Sequence, residues 1–132
     1  MALPAGNVLE PFVDADDIAD VAVAALTDAR HDGQLYELTG PRLMTFADAA
    51  AEISTAAGRD VHYAAVSPSD FRASLTKSAG PDVANMLTAL CEEVFDGRNA
   101  SLGDGVKKAL GRKARDFTDF CRAAAASGVW KA

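Results

Sequence analysis

Two histidines, two cysteines, a group of aspartates and a run of cations are the residues here whose types could do chemistry. His31 lies in a polar turn beside Asp32, and His62 alternates with Tyr63 on an extended run. A metal ion needs more convergent ligands than two isolated imidazoles. Solvated surface is expected for His31 and a strand face for His62. Cys91 and Cys121 fall at apolar helical positions, where cysteine behaves as a small hydrophobe. Reduced core thiols are expected, with a disulfide between the two as the alternative. Asp14, Asp16, Asp17 and Asp20 resemble a cation loop in composition, but the glycine and terminal glutamate of such a loop are not in register. The dipole at a helix start accounts for the group. Lys107, Lys108, Arg112, Lys113 and Arg115 form a basic patch. It either attracts an anion or is a solvated helix-and-loop surface with its cations near a helix C-terminus. The second is the expectation. Glu92 and Glu93 sit beside a helical stripe and face solvent. No serine elbow and no Ser/His/Asp or Cys/His pairing emerges. The chain carries no catalytic constellation of its own.

The 132 residues, 49% of them hydrophobic, suffice for one domain with a core, and residues 1–132 are read as a single domain. A net charge of −6 excludes nucleic acid as a partner, because phosphate binding needs a basic surface. No run approaches the ~20 apolar residues that cross a bilayer, so no membrane partner is expected. The first residues lack the basic start and apolar stretch of a signal peptide, and cytoplasm is the expected compartment.

The elements that must position these residues alternate in the first half. Met1 to Glu10 reads as an irregular opening, and Pro11-Phe12-Val13 as a short extended piece. Asp14 caps a helix whose apolar face is Ile18, Val21, Ala22 and Ala25. His31-Asp32-Gly33 leads into a buried strand over Gln34 to Thr39, stopped by Gly40 and Pro41. Thr45 and Asp48 form a near capping box before Phe46, Ala49, Ala50 and Ile53, and Gly58 ends that helix. Asp60 to Val66 is extended again. Ser67 and Pro68 start a helix bearing Phe71 and Leu75. After Gly80-Pro81 comes a stripe of Val83, Met86, Leu87, Leu90, Cys91 and Val94. A short helix around Val106 to Leu110 and a last one with Phe117, Phe120, Cys121 and Ala124 complete the chain. The fold class is α/β: a few short, mainly parallel strands in the first half and helices in the second. Three strands make a thin sheet, and a missing set of strands alongside is expected.

The run Pro11 to Ala19 resembles the "FVDVRDIA" segment of NmrA-like atypical short-chain dehydrogenase/reductases. Tyr36-Glu37-Leu38-Thr39-Gly40-Pro41 with Thr45 to Ala50 is similar to that family's "YELTGP…LTFAEAA". Gly97-Arg98-Asn99-Ala100 and Leu110 to Phe120 resemble its closing "GRN" and "LGRxPRSFxDF". The segments stand in family order from about residue 8 onward. The resemblance implies the C-terminal, substrate-side half of such a reductase, a partial Rossmann-type region. The family's glycine-rich GxxGxxG turn, which cradles the dinucleotide pyrophosphate, is missing from this sequence. Gly103-Asp104-Gly105 is the nearest glycine pair and reads as a turn before a short helix. The family's Tyr-x-x-x-Lys pair is missing too, since Gly40 and Ser67 stand four residues after Tyr36 and Tyr63.

The resemblance further implies a full-length enzyme moving hydride from NAD(P)H to a quinone or other small carbonyl compound. The isolated chain is expected to be inactive and to hold no cofactor. In relatives the region after the third strand contributes to substrate binding, which makes Phe71, Met86, Leu87 and Leu90 the candidate pocket; plain core is the competing reading. Gln34 to Thr39 would be an outer strand of the Rossmann sheet, while Phe12-Val13 and Val61 to Val66 would pair in a smaller one. Self-association through the 34–39 edge, or docking with a complementary Rossmann half, is expected. The alternative function is a non-catalytic redox-sensing module, or one that binds a small ligand or a protein.

Overall fold

The structure is a computed structural model that describes residues 1–130. Its internal contacts gather in two compact units, each built from two stretches of chain: Met1–Glu10 with Thr45–Ala100, and Pro11–Met44 with Ser101–Ala132.

In the first unit the opening residues are not irregular. β1 (Ala2–Leu3) pairs in parallel with β2 (Ala64–Ala65), Ala2 opposite Ala64 and Leu3 opposite Ala65. The Tyr63 hydroxyl donates to the Leu3 carbonyl at 3.2 Å, and the Met1 ammonium to the His62 carbonyl at 2.8 Å. This corrects the expected pairing of Val61–Val66 with Phe12–Val13. Phe12 lies elsewhere, against Gly40: the Gly40 N–H donates to the Pro11 carbonyl, and a Cβ on Gly40 would sit 1.8 Å from the Phe12 oxygen.

Helix α2 (Phe46–Ala57) opens with the complete Thr45/Asp48 capping box and ends at Gly58 in the left-handed conformation, φ +64°. Phe46 holds Tyr63 and Phe95 at ring separations of 5.9 and 5.2 Å. Ser67 caps α3 (Pro68–Ala79), and Gly80 at φ +86° turns the chain into α4 (Pro81–Val94). The two helices pack together. The buried residues of α4 are Ala84, Thr88 and Cys91, at i, i+4 and i+7. Small side chains let a neighbouring helix approach closely, and the Thr88 hydroxyl is satisfied by the Ala84 carbonyl at 2.7 Å. The expected stripe is therefore rotated: Met86 and Leu90 are 62% and 53% exposed.

In the second unit the buried face of α1 (Ala15–Thr27) is also displaced from the expected one. Its fully buried residues are Asp17 and Val21, while Ile18, Ala22 and Ala25 of the expected face lie exposed. A 3-10 turn over Ala29–His31 follows, then α5 (Gly105–Leu110) and α6 (Phe117–Ser127). Gln34 to Thr39 is not a strand. It forms no ladder, and the N–H groups of Leu35 to Thr39 donate to nothing among the described residues. Its one backbone bond from a neighbouring segment is Gly105 N–H to the Glu37 carbonyl, 3.1 Å. Leu35 is 90% exposed. Residue types that favour extended backbone make a strand only with neighbours on the edges, and here the edges are open.

Among the described residues no helix is long and apolar enough to cross a membrane.

Candidate functional site

The expected pocket residues lie on two helices of the first unit. Phe71 is half-buried on α3; Met86, Leu87 and Leu90 lie on α4, with Leu87 half-buried and the other two exposed. They present an apolar surface, and none of them lines a cavity described here. Cys91 is buried and free, and burial pushes its thiol up, with Glu92 adding to the shift. Cys121 is buried and free as well. His62 is exposed and borders a shallow groove with Ala50, Ser54 and Val61. His31 departs from a solvated surface residue: its Nδ1 lies 2.7 Å from the Tyr36 hydroxyl, rings edge to face.

The strongest polar construction was not anticipated. Asp17 is fully buried, and its carboxylate accepts the Arg115 backbone N–H at 2.7 Å, the Arg115 guanidinium at 2.5 Å and the Arg112 guanidinium at 2.7 Å. Asp20, one turn on, takes the other arms of both arginines at 2.6 and 3.1 Å. Burial alone would raise the Asp17 pKa. The Arg115 N–H and the two guanidinium groups outweigh it and hold the carboxyl below its ordinary value. The aspartate group therefore serves tertiary structure: Asp14 is the N-cap of α1, whereas Asp17 and Asp20 clamp the loop after α5. A second clamp ties Arg42 to Asp116 through two bonds of 2.9 Å. Asp116 also caps α6 by accepting the Thr118 N–H, and Arg42 holds its carboxyl well below the usual carboxylate range.

Two hollows lie beside these clamps. One, of about 240 Å³, is apolar and lined by Phe12, Val13, Ala15, Phe117 and Phe120 with Asp14 at its edge; Phe117 stacks at 5.5 Å from Phe12 and 5.7 Å from Phe120. The other, of about 300 Å³, lies where Thr39-Gly40-Pro41 meets the Gly103 turn and the basic segment. The Thr39 hydroxyl joins its walls, accepting the Gly103 N–H at 3.0 Å.

No family model matches the chain. The NAD(P)H azoreductase of Xenophilus azovorans is 39% identical over 129 residues, 95% of this chain and 44% of that protein. The (4-alkanoyl-5-oxo-2,5-dihydrofuran-3-yl)methyl phosphate reductase of Streptomyces griseus is 34% identical over 115 residues, 87% of this chain and 41% of that protein. The NADPH-dependent quinone oxidoreductase of Escherichia coli, solved with NADPH, superposes with a TM-score of 0.78 at 26% identity, over 93% of this chain and 44% of that one. The chain is similar to NAD(P)H oxidoreductases. It spans less than half the length of these relatives and fits a C-terminal half of such a protein.

The Gly103-Asp104-Gly105 turn does not fit a dinucleotide pyrophosphate. Gly103 and Gly105 press against the Glu37 backbone, where a Cβ on either would lie 2.7 or 2.3 Å from the Glu37 oxygen. The Gly105 N–H is bonded to that oxygen and the Gly103 N–H to Thr39. Both amides are committed inside the protein, so neither can cradle a pyrophosphate.

Proposed function

We propose that this chain is the substrate-side half of an NAD(P)H-dependent reductase acting on a quinone or other small carbonyl compound, and that it is inactive by itself. The match to the azoreductase over 95% of the chain carries the reading. The glycine-rich half that holds a dinucleotide lies outside these residues, and hydride transfer needs the cofactor fixed against the acceptor. In the assembled enzyme the apolar surface of Phe71, Met86, Leu87 and Leu90 would border the acceptor. The complement is a Rossmann half that adds a strand along Gln34 to Thr39. The open N–H groups of Leu35 to Thr39, the exposed Leu35 and the exposed Val23 and Leu26 on α1 support that partner.

The test is NADPH oxidation with menadione as acceptor, together with light scattering. The pure chain is expected to leave NADPH unoxidised and to gain turnover when the remaining half of a related reductase is supplied. Turnover by the chain alone overturns the reading. A stable homodimer would assign the 34–39 edge to self-association instead. NADPH binding without turnover, alone or with the half supplied, would favour a redox-sensing module.

A further inference from the structure

The basic patch of the sequence does not stay together in the fold. Arg112 and Arg115 are bound by Asp17 and Asp20, and Lys108 by Asp104 at 2.8 Å. Lys107 and Lys113 have no ion pair and no hydrogen bond from their ammonium groups among the described residues. These two, left over after the pairing, both line the cleft of about 300 Å³ beside Thr39-Gly40-Pro41.

The rest of the lining narrows what the cleft can take. Thr39 is occupied with Gly103, and Pro41 has no N–H to offer. Pro41, Val106 and Ala114 give it apolar wall. Asp104 is the carboxylate in the lining; Lys108 bonds it directly, and Lys107 acts on it only through its charge. The side-chain cations left in the lining are thus Lys107 and Lys113, on a protein whose net charge is −6. Unpaired cations on an acidic protein oppose its general field and concentrate anions locally. Two ammonium groups suit a dianion better than a single carboxylate, and a phosphate offers each of them an oxygen. The volume falls at the lower end of small-molecule sites, which run from roughly 300 to 1,000 Å³.

We propose that this cleft binds a small phosphomonoester, its phosphate held between Lys107 and Lys113 and its organic part against Pro41, Val106 and Ala114. The site uses no residue of the proposed acceptor surface and no dinucleotide; Thr39 in its lining is also the end of the edge proposed for the Rossmann half.

The experiment is calorimetric titration of the whole chain with phenyl phosphate and with inorganic phosphate at low salt. Phenyl phosphate should bind more tightly than inorganic phosphate. The K107A/K113A variant should lose about tenfold or more in affinity, which corresponds to about 1.4 kcal/mol. K107R/K113R should keep most of it, and K77A, in the other unit, should be unchanged. Binding should weaken as salt rises from roughly 0.01 to 1 M, over which the screening length falls from about 30 to 3 Å. Because neither ammonium makes an ion pair or hydrogen bond among the described residues, all variants should melt close to the wild type. No binding of phenyl phosphate, equal binding by K107A/K113A, or equal loss in K77A would each overturn the proposal. Inorganic phosphate binding as tightly as phenyl phosphate would remove the apolar part of it.

Discussion

Replacing Asp17 with asparagine tests whether the buried clamp holds the second unit together. The substitution keeps size and shape but removes the anion that faces Arg112, Arg115 and the Arg115 N–H. Breaking a buried ion pair from one side usually costs about 3–5 kcal/mol, because the partner charge is stranded. Here the stranded charges are better placed than most. Arg112 and Arg115 are 37% and 38% exposed, and each keeps Asp20. The cost should therefore sit near the bottom of that range, about 3 kcal/mol. R112A, by contrast, leaves Asp17 with both Arg115 bonds and should cost about 1 kcal/mol. Urea unfolding followed by circular dichroism reads both: with a slope of about 1–3 kcal/mol/M, D17N should move the midpoint by more than about 1 M. The pH dependence separates charge from shape. The folded pKa of Asp17 lies below 3.8, so its contribution is complete above the unfolded value and is lost as pH falls through the folded one. Wild type and D17N should converge on acidification. A cost under about 1 kcal/mol, or a gap that persists unchanged into strong acid, would refute the electrostatic account.

Three further outcomes follow from named contacts. G40A places a methyl group 1.8 Å from the Phe12 oxygen and should fail to fold or lose more than about 3 kcal/mol. G33A, at φ +68° with open space around it, should cost only about 1 kcal/mol, and parallel thermal melts compare the two. D116A removes the α6 cap and the Arg42 pair, and should cost about 1–2 kcal/mol at neutral pH. Because Arg42 holds the Asp116 carboxyl low, this deficit should shrink as pH drops below 3.8; a deficit constant with pH would count against the pair. M86A and L90A should each change stability by less than about 0.5 kcal/mol while F71A costs more, and equal losses would mean that α4 is buried on a face the structure leaves open.

Local signals in the sequence were specific enough to place most helix boundaries. Thr45 with Asp48, Ser67 with Pro68, and the left-handed glycines at 58 and 111 each act within one turn, so their chemistry survives whatever lies around them. The buried faces were less legible. On α1 and α4 only Val21 and Cys91 of the expected faces are buried, joined by Asp17 on one helix and by Ala84 and Thr88 on the other. Periodicity records where apolar side chains lie, not what they meet. A polar residue such as Asp17 can take the inside position when two arginines far along the chain arrive to neutralise it. Nothing near residue 17 announces them; the signal was the pairing of an aspartate cluster with a distant basic run, each of which was read alone.

The same reasoning explains why residue types alone misjudged Gln34 to Thr39. Tyr36, Leu38 and Thr39 favour an extended backbone, and the segment is extended. A strand, however, is a property of pairs. Gly103 and Gly105 supply one contact at Glu37 because a side chain at either position would collide with its carbonyl. No second backbone completes the ladder among the described residues. The exposed bulky side chains on α1, the exposed Leu35 and the open N–H groups all belong to the second unit. Under the proposed function a Rossmann half covers them, and the chain spans less than half the length of the relatives it matches.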